Sequence, residues 1–173
     1  MKKVNKYFLL LIASFVCSLS FVSCDKDDDD KPNGGNISDV VGVYSGGITA
    51  KVTPPMSQPI DCIIEGTYDV SIQKYDDDDV TVVIPSCSYS TENMPRVETI
   101  PELIITDVDV DRTGHEADTY ILQDDDFSII VDGVAYTGSI YGTVKGSEIN
   151  LNYQIVPGKM PMPINFTFSG KRK

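Results

Sequence analysis

Carboxylates alternate with valines in residues 107–111, Asp-Val-Asp-Val-Asp, and such a run begins like a calcium-binding loop. An EF-hand loop needs glycine at its sixth position and usually glutamate at its twelfth. This chain has Arg112 and Asp118 at those positions. Strict alternation is also the pattern of a strand with one buried face. The strand explains these residues better, so we predict no metal site.

His115 is the only histidine in the chain, so a metal site built from several histidines is excluded. It could serve at most one Ser-His-Asp arrangement. It lies in a polar segment, residues 113–116, without the strained serine turn that presents a nucleophile. Among the 26 acidic residues no pair stands out for acid–base catalysis. We therefore predict no catalytic residue, no cofactor and no enzyme activity.

The N-terminus has the parts of a secretory signal. Three lysines precede a short apolar stretch, Phe8 to Val16, which is too short to span a bilayer as a helix. Residues 21–24 then read Phe-Val-Ser-Cys. A small residue directly before a cysteine resembles the lipobox of bacterial lipoproteins, with Phe21 where leucine is usual. The resemblance implies cleavage after Ser23 and a diacylglycerol on Cys24 that holds the protein to a membrane. The alternative is an ordinary cleaved signal.

Residues 25–31 are Asp-Lys-Asp-Asp-Asp-Asp-Lys, and residues 32–36 are Pro-Asn-Gly-Gly-Asn. Repelling charges followed by Gly and Pro predict a solvated, flexible tether. An acidic run behind a lipidated cysteine also resembles the surface-export signal of Bacteroidetes lipoproteins. The resemblance implies an outer-membrane lipoprotein exposed at the cell surface, the alternative being the periplasmic face. The predicted segments are a signal peptide (1–23), a lipidated cysteine with its tether (24–39) and one domain (40–173).

The charge of the mature chain limits its partners. All 26 acidic residues but only 11 of the 14 basic ones follow Ser23, which gives the mature chain a net charge of −15. Such a chain repels phosphate backbones, and we predict no nucleic-acid partner. The apolar fraction of 41% is ordinary for a folded domain.

From Val41 onward the apolar residues follow a period of two, not of 3.6. Residues 149–155, for example, place Ile, Leu, Tyr and Ile on one face and Asn, Asn and Gln on the other. Asp124 to Asp126 interrupt the fifth strand, which predicts a bulge or a break there. Short strands joined by tight turns indicate a sandwich or a closed barrel. The predicted strands are 41–51, 60–74, 80–89, 102–110, 119–131, 134–144, 148–156 and 164–172.

Three segments resemble the calycin-like (lipocalin-like) domain of Bacteroidetes lipoproteins. They are residues 42–46 (Gly-Val-Tyr-Ser-Gly), 142–146 (Gly-Thr-Val-Lys-Gly) and 166–171 (Phe-Thr-Phe-Ser-Gly-Lys). The resemblance implies an all-β fold, a single antiparallel up-and-down barrel of about eight strands. True lipocalins pack a basic residue over a tryptophan of the first strand. This chain has no tryptophan, so Tyr44 would take that place, with Lys171 or Arg172 as its partner.

Cys62 and Cys87 remain in the domain beyond the anchor. Export permits a disulfide between them. In an up-and-down barrel both lie near the same end, one at the start of the second strand and one at the end of the third. Alternation turns Cys62 inward, whereas Cys87 is out of phase with its strand unless Pro85 marks a bulge. They are a candidate disulfide, with two buried free thiols as the alternative.

The lower end of the barrel is the end where the first strand starts, and the tether enters there. The loops after the first and third strands, and the loop before the last, then meet at the upper end. Met is common at adaptable binding surfaces, and barrel mouths are frequent ligand entrances. We predict a distal binding mouth, although the same side chains could simply plug the barrel. The candidate residues are Met56, Met94, Met160, Met162, Pro54 and Pro55.

Two functions fit this outline. One is a binding module for a small apolar or amphipathic ligand, which needs a cavity of several hundred cubic ångströms. The other is a protein-interaction or inhibitor-like accessory module with a filled barrel and an exposed apolar patch. The partners expected are the membrane, through the lipid, and a small ligand or a partner protein. The oligomeric state does not follow from the sequence.

Overall fold

The computed structural model describes residues 37–92, 94–112, 118–158 and 162–173, except the side chains of residues 94 and 95. The predicted signal peptide, Cys24 and all but the last residues of the tether lie outside these ranges, as do His115 and Met160. A short 3₁₀ helix, Ile37–Asp39, precedes the first strand. No helix in the described ranges has the length and apolar character needed to span a bilayer.

Eleven strands follow the 3₁₀ helix in the described part of the chain. Their apolar and polar residues alternate, as a sheet with one buried face requires. They are β1 (Gly42–Val52), β2 (Ile60–Asp61), β3 (Tyr68–Lys74), β4 (Asp79–Ile84), β5 (Cys87–Thr91), β6 (Met94–Ile100), β7 (Leu103–Arg112), β8 (Thr119–Val131), β9 (Val134–Lys145), β10 (Glu148–Pro157) and β11 (Ile164–Arg172).

Eight of the strands close into an antiparallel barrel, which confirms the predicted fold class. The order around the barrel is β1, β3, β4, β7, β8, β9, β10 and β11. β11 pairs back with β1 from Tyr44 opposite Arg172 to Val52 opposite Ile164, and this pairing closes the wall. β2 adds a short ninth strand at the upper end of β1. Closure leaves no free outer edge along these paired segments.

Two predicted strands are wrong in extent. The second, 60–74, is broken into β2 and β3, and Gly66 lies in the break with φ +109°. The third, 80–89, ends at Ile84, and residues 87–100 form a separate hairpin, β5–β6. Proline cannot donate a backbone hydrogen bond, so Pro95 disfavours a central strand. Both strands of a two-stranded hairpin are edge strands, which can contain proline. The barrel is therefore up-and-down except for this inserted hairpin.

The barrel interior is filled by large side chains from facing strands. Tyr44, Phe166, Phe168 and Leu151 are among the largest side chains that are completely buried. Tyr153 stacks on Phe166 with ring centroids 4.9 Å apart and the rings almost parallel. Such a core resembles the close-packed interior of an ordinary domain rather than a wide ligand chamber. Among the described residues, the ends of the barrel and its wall are therefore the places where a ligand could bind.

The backbones of β1 and β11 approach closely at Gly46. It lies opposite Gly170, and a Cβ added at residue 46 would come within 2.0 Å of the carbonyl oxygen of Ser169. Only glycine allows the two backbones to approach this closely. The adjacent Gly47 faces open space on the outside.

Candidate functional site

Arg172 closes the lower end of the barrel. Its guanidinium lies 5.3 Å from the centre of the Tyr44 ring, and its Nη2 donates a hydrogen bond of 2.7 Å to the Tyr44 hydroxyl. The hydroxyl in turn donates to the carbonyl of Val40 at 2.8 Å. Of the two candidate partners of Tyr44, the structure therefore brings Arg172 into contact. Lys171 points outward, where its ammonium lies 2.9 Å from the carboxylate of Glu148.

The 3₁₀ helix is held against the same end. Arg172 also donates a hydrogen bond to the carbonyl of Asp39. The Tyr120 hydroxyl, from the start of β8, donates to the Asp39 carboxylate at 2.6 Å. That hydrogen bond to Asp39 is the largest cause of the raised pKa of Tyr120. These contacts plug the lower end, the end at which the chain enters the barrel.

Cys62 and Cys87 are free thiols in the structure, which is the alternative that the sequence left open, and the disulfide stays a prediction. The two thiols lie close enough to interact, since repulsion from Cys62 adds to the effect of burial in raising the pKa of Cys87.

The environment of the two thiols also makes them poor nucleophiles. Burial is the largest cause of the raised pKa of each, and it takes the pKa of Cys87 to about 11. Both are therefore protonated at neutral pH.

An apolar cleft lies at the upper end of the barrel. Its volume is about 230 Å³, and its surface is almost entirely apolar. Val52 and Met162 line it from the barrel rim, and Tyr89 is its largest side chain from the hairpin. Burial raises the pKa of Tyr89 to about 12, so its hydroxyl stays neutral. The remaining lining residues are Ser90, Thr91, Arg96 and Glu98, all from the hairpin.

An ion pair stands at the edge of this mouth cleft. The Nε of Arg96 lies 3.2 Å from a carboxylate oxygen of Glu98, and the Arg96 side chain is 85% exposed. Exposed pairs of this kind contribute little to stability, so either partner is available to another charged group. The cleft thus combines an apolar floor with a charged edge.

Of the six predicted mouth residues, the described structure places one in the cleft, Met162. Met56 is fully exposed in the loop after β1 and does not line the cleft. Pro54 is partly buried and Pro55 is exposed, and neither lines the cleft. The Met94 side chain and Met160 lie outside the described part of the structure.

Tyr153 has a buried hydroxyl in the upper part of the barrel. It is 3% exposed, and its oxygen has no hydrogen-bond partner within the described ranges. Burial is the main cause of its raised pKa, with smaller effects of Cys87 and Tyr68. A buried, unpaired hydroxyl costs free energy, and a ligand or a water that reached it would recover that cost.

Two other depressions are larger but more open. One, of about 310 Å³, lies on the outer wall between Ser45, Asn150 and Lys171. The other, of about 340 Å³, lies beside Asp39, Tyr120 and Arg172 at the lower end. Both have mixed polar and apolar linings and are less enclosed than the mouth cleft. Small-molecule sites are mostly enclosed and apolar, so the smaller mouth cleft is the better candidate.

Acidic residues cluster on the wall where β4 meets β7. Asp79 lies directly opposite Asp109 in the register. The pKa of Asp79 is raised to about 6, first by burial, then by a hydrogen bond with Asp109 and by repulsion from other carboxylates. Within the described ranges no group of three or more such side chains is placed to hold a metal ion.

The fold and the comparisons define the class of protein. The family model of the calycin-like β-barrel domain matches residues 40–171. The chain therefore belongs to the calycin-like β-barrel domain family, and the expected resemblance is confirmed. None of the curated proteins matches it.

A solved structure shares the fold. It is that of a Bacteroides fragilis NCTC 9343 protein provisionally described as an outer membrane protein. The TM-score is 0.60 at 22% identity over 79% of this chain, and the chain spans about half (52%) of that protein's length. At this identity the likeness establishes the fold alone.

Proposed function

We propose that this protein is a lipid-anchored binding module of the outer membrane that holds the apolar part of a small amphipathic molecule in the mouth cleft. The observation that carries the proposal is the enclosed apolar cleft between the hairpin and the rim, lined by Val52, Tyr89 and Met162. Calycin-like barrels often bind small ligands, and this cleft lies at the upper end of the barrel, opposite the end that Arg172 closes.

The size of the cleft limits the ligand. Its volume of about 230 Å³ is below the usual range of about 300–1,000 Å³ for drug-sized ligands. The interior below it is filled by Tyr153, Phe166 and other large side chains. The ligand therefore places a short apolar segment in the cleft and its polar end beside Arg96 and Glu98, instead of entering the barrel completely.

The anchor gives the cleft its direction. We place the lipid on Cys24, at the far end of an acidic tether that joins the barrel at Ile37. The 3₁₀ helix that begins there packs against Tyr120 and Arg172 at the lower end, opposite the cleft. A cell-surface location would then expose the mouth to the medium, and a periplasmic one would expose it to the periplasm.

A second candidate is a protein-interaction module without a small ligand. The filled core favours it, because a hollow barrel would be expected of a dedicated carrier. Exposed apolar side chains also occur near the upper end, among them Ile63 and Val97. The two candidates differ in whether the mouth cleft binds a small amphipathic probe.

Titration of the full chain with anilinonaphthalene sulfonate, an amphipathic anionic dye, tests the proposal. We expect saturable fluorescence enhancement that Met162→Asp weakens at least tenfold, because the substitution puts a charge into the apolar cleft. Met56→Asp is the matched control, since Met56 is exposed outside the cleft, and it should leave binding unchanged.

Thermal unfolding of each variant checks that the barrel remains folded. Equal dye binding by the wild type and by folded Met162→Asp would contradict the proposal and favour the interaction module. Two further variants test the charged edge. Arg96→Gln should weaken binding of the anionic dye, and Glu98→Gln should strengthen it, because Glu98 competes for the guanidinium.

A further inference from the structure

The upper halves of β7 and β8 are adjacent in the barrel but are not paired with each other through their backbones. The two strands pair from Asp109 opposite Gln123 to Arg112 opposite Tyr120, in the lower half. Above Asp109, residues 103–108 pair with β4, and residues 124–131 pair with β9. Residues 103–108 of β7 and 124–131 of β8 are all described, and they do not pair with each other through their backbones. We call this gap the seam.

Bulges in both strands explain where the seam begins. β7 has one residue more than β4 between Ile105 and Val108, and Asp107 in this bulge has φ +64°. β8 has one residue more than β9 between Asp124 and Phe127. A bulge bends a strand and disrupts its backbone pairing locally, so two bulges at the same height account for the end of the β7–β8 pairing.

Apolar side chains flank the seam on the outside. Ile104 on β7 is 52% exposed, and Ile130 on β8 is 75% exposed. On the inner face of β8, Ile129 and Val131 are only partly buried, whereas Leu103 and Ile105 across the seam are completely buried. The seam thus offers two strand edges and an apolar strip that the described chain leaves partly uncovered.

The lower end of the seam carries carboxylates from both sides. Burial is the largest cause of the raised pKa of Asp124, followed by repulsion from Asp126, Asp109 and Asp107. The same Asp107 and Asp109 raise the pKa of Asp79. No basic side chain contributes to either shift among the described residues. Clustered carboxylates without a cation favour a positively charged partner group at this point.

We propose that the seam is a docking site for an extended segment of a partner protein, which inserts as a strand between β7 and β8. Apolar residues of that segment cover Ile104 and Ile130, and a lysine or arginine at one end meets Asp107 and Asp124. Strand addition supplies affinity through backbone hydrogen bonds and specificity through alternate side chains. This site is separate from the mouth cleft, whose lining residues it does not share.

The charge of the seam argues against the other occupants. A second copy of this chain would bring its own acidic cluster against Asp107 and Asp124, and like charges in contact repel. The acidic segment 25–31 of the same chain would be repelled for the same reason. A basic and apolar strand from another protein fits both features of the seam.

The test uses the full chain and an eight-residue peptide of alternating valine and threonine that begins with two lysines. The matched peptide has two glutamates instead. We expect saturable binding of the lysine peptide by fluorescence anisotropy, at least tenfold tighter than the glutamate peptide. Hydrogen exchange should slow on binding for amides in 103–108 and 124–131 and for no other strand.

Variants then separate the seam from the rest of the surface. Ile130→Lys should weaken binding of the lysine peptide at least tenfold. Val97 is exposed on β6, away from the seam, and Val97→Lys should leave the binding unchanged. Asp107→Asn with Asp124→Asn should remove the preference for lysine over glutamate.

Three results would overturn the proposal. The first is that the lysine peptide shows no saturable binding. The second is that the peptide slows hydrogen exchange at amides outside the seam. The third is that the seam amides already exchange slowly without the peptide. In the third case, protection that rises with protein concentration would identify a second copy as the occupant. Protection independent of concentration would identify another segment of the same chain.

Discussion

Arg172 contributes more to this fold than its position as the second-last residue suggests. Its guanidinium covers the Tyr44 ring and donates hydrogen bonds to the Tyr44 hydroxyl and to the Asp39 carbonyl. The sequence predicted a basic partner for Tyr44 but left Lys171 and Arg172 as alternatives. The register decides between them, since Tyr44 lies opposite Arg172 and Ser45 lies opposite Lys171. Adjacent residues of a strand point to opposite faces, so only one can reach the core.

Arg172→Gln should lower the free energy of unfolding by about 2–3 kcal/mol, because it removes a cation–π contact and charged hydrogen bonds from a buried hydroxyl. Lys171→Gln is the control. It breaks an exposed ion pair with Glu148 and should cost less than about 0.5 kcal/mol. Urea unfolding of both variants measures the difference. Equal costs would show that Arg172 does not close the barrel.

Asp79 gives the stability of the barrel a specific pH dependence. Its pKa of about 6 in the folded state lies above the ordinary value of 3.8, so the folded protein binds a proton that the unfolded chain releases. Its contribution is complete below about pH 4 and is lost as the pH rises through about 6. At pH 7, Asp79→Asn should therefore stabilise the fold, by about 1 kcal/mol.

The difference in unfolding free energy between Asp79→Asn and the wild type should shrink as the pH falls from 7 to 4. Asp77→Asn is the control with the opposite sign. A hydrogen bond and ion pair with Lys74 lower the pKa of Asp77, so its loss is destabilising at neutral pH and harmless in acid. A pH-independent effect of Asp79→Asn would show that the pKa of Asp79 is not raised in the folded protein.

At the scale of strands, the alternating segments were predictable and the interruptions were not. Residues 149–155 and 164–168 form the strands that their period predicts. The predicted irregularity at Asp124–Asp126 is a bulge within one strand. The hairpin β5–β6 was missed, although Cys87, Tyr89 and Thr91 alternate on a buried face.

The mouth cleft was only partly predictable for the same reason. It is formed mainly by the missed hairpin, so Tyr89, Thr91, Arg96 and Glu98 were not candidates. Met162 was predicted because the loop before the last strand lies beside the first loop when the last strand pairs antiparallel with the first. Met56 satisfies the same argument, yet it points to solvent, because topology fixes where a loop lies and not where its side chains point.

The junction of β1 and β11 depends on the glycine pair Gly46 and Gly170, of which Gly46 has the closer backbone neighbour. Gly46→Ala should destabilise the barrel by more than about 2 kcal/mol, since its Cβ would meet the Ser169 carbonyl oxygen at 2.0 Å and the backbones would have to separate. Gly47→Ala is the control at the adjacent position. Its free energy of unfolding should lie within about 1 kcal/mol of that of the wild type, because a Cβ at residue 47 has no neighbour within 4 Å. Thermal unfolding compares the two. Similar midpoints would show that the strands tolerate separation.

At the scale of the whole molecule, the two ends of the barrel differ in structure. The lower end is closed by Arg172 and by the 3₁₀ helix through which the chain enters. The upper end carries the inserted hairpin and the apolar cleft. The N-terminal motifs predict a lipid anchor on Cys24 independently of the fold.

Native mass spectrometry of the protein recovered from its own membranes would show whether the mouth cleft binds a small amphipathic molecule, as we propose. The wild type and Met56→Asp should each retain a small-molecule adduct that Met162→Asp lacks, with a diacylglycerol on Cys24 in all three. An unliganded wild type, or the same adduct on folded Met162→Asp, would contradict the claim.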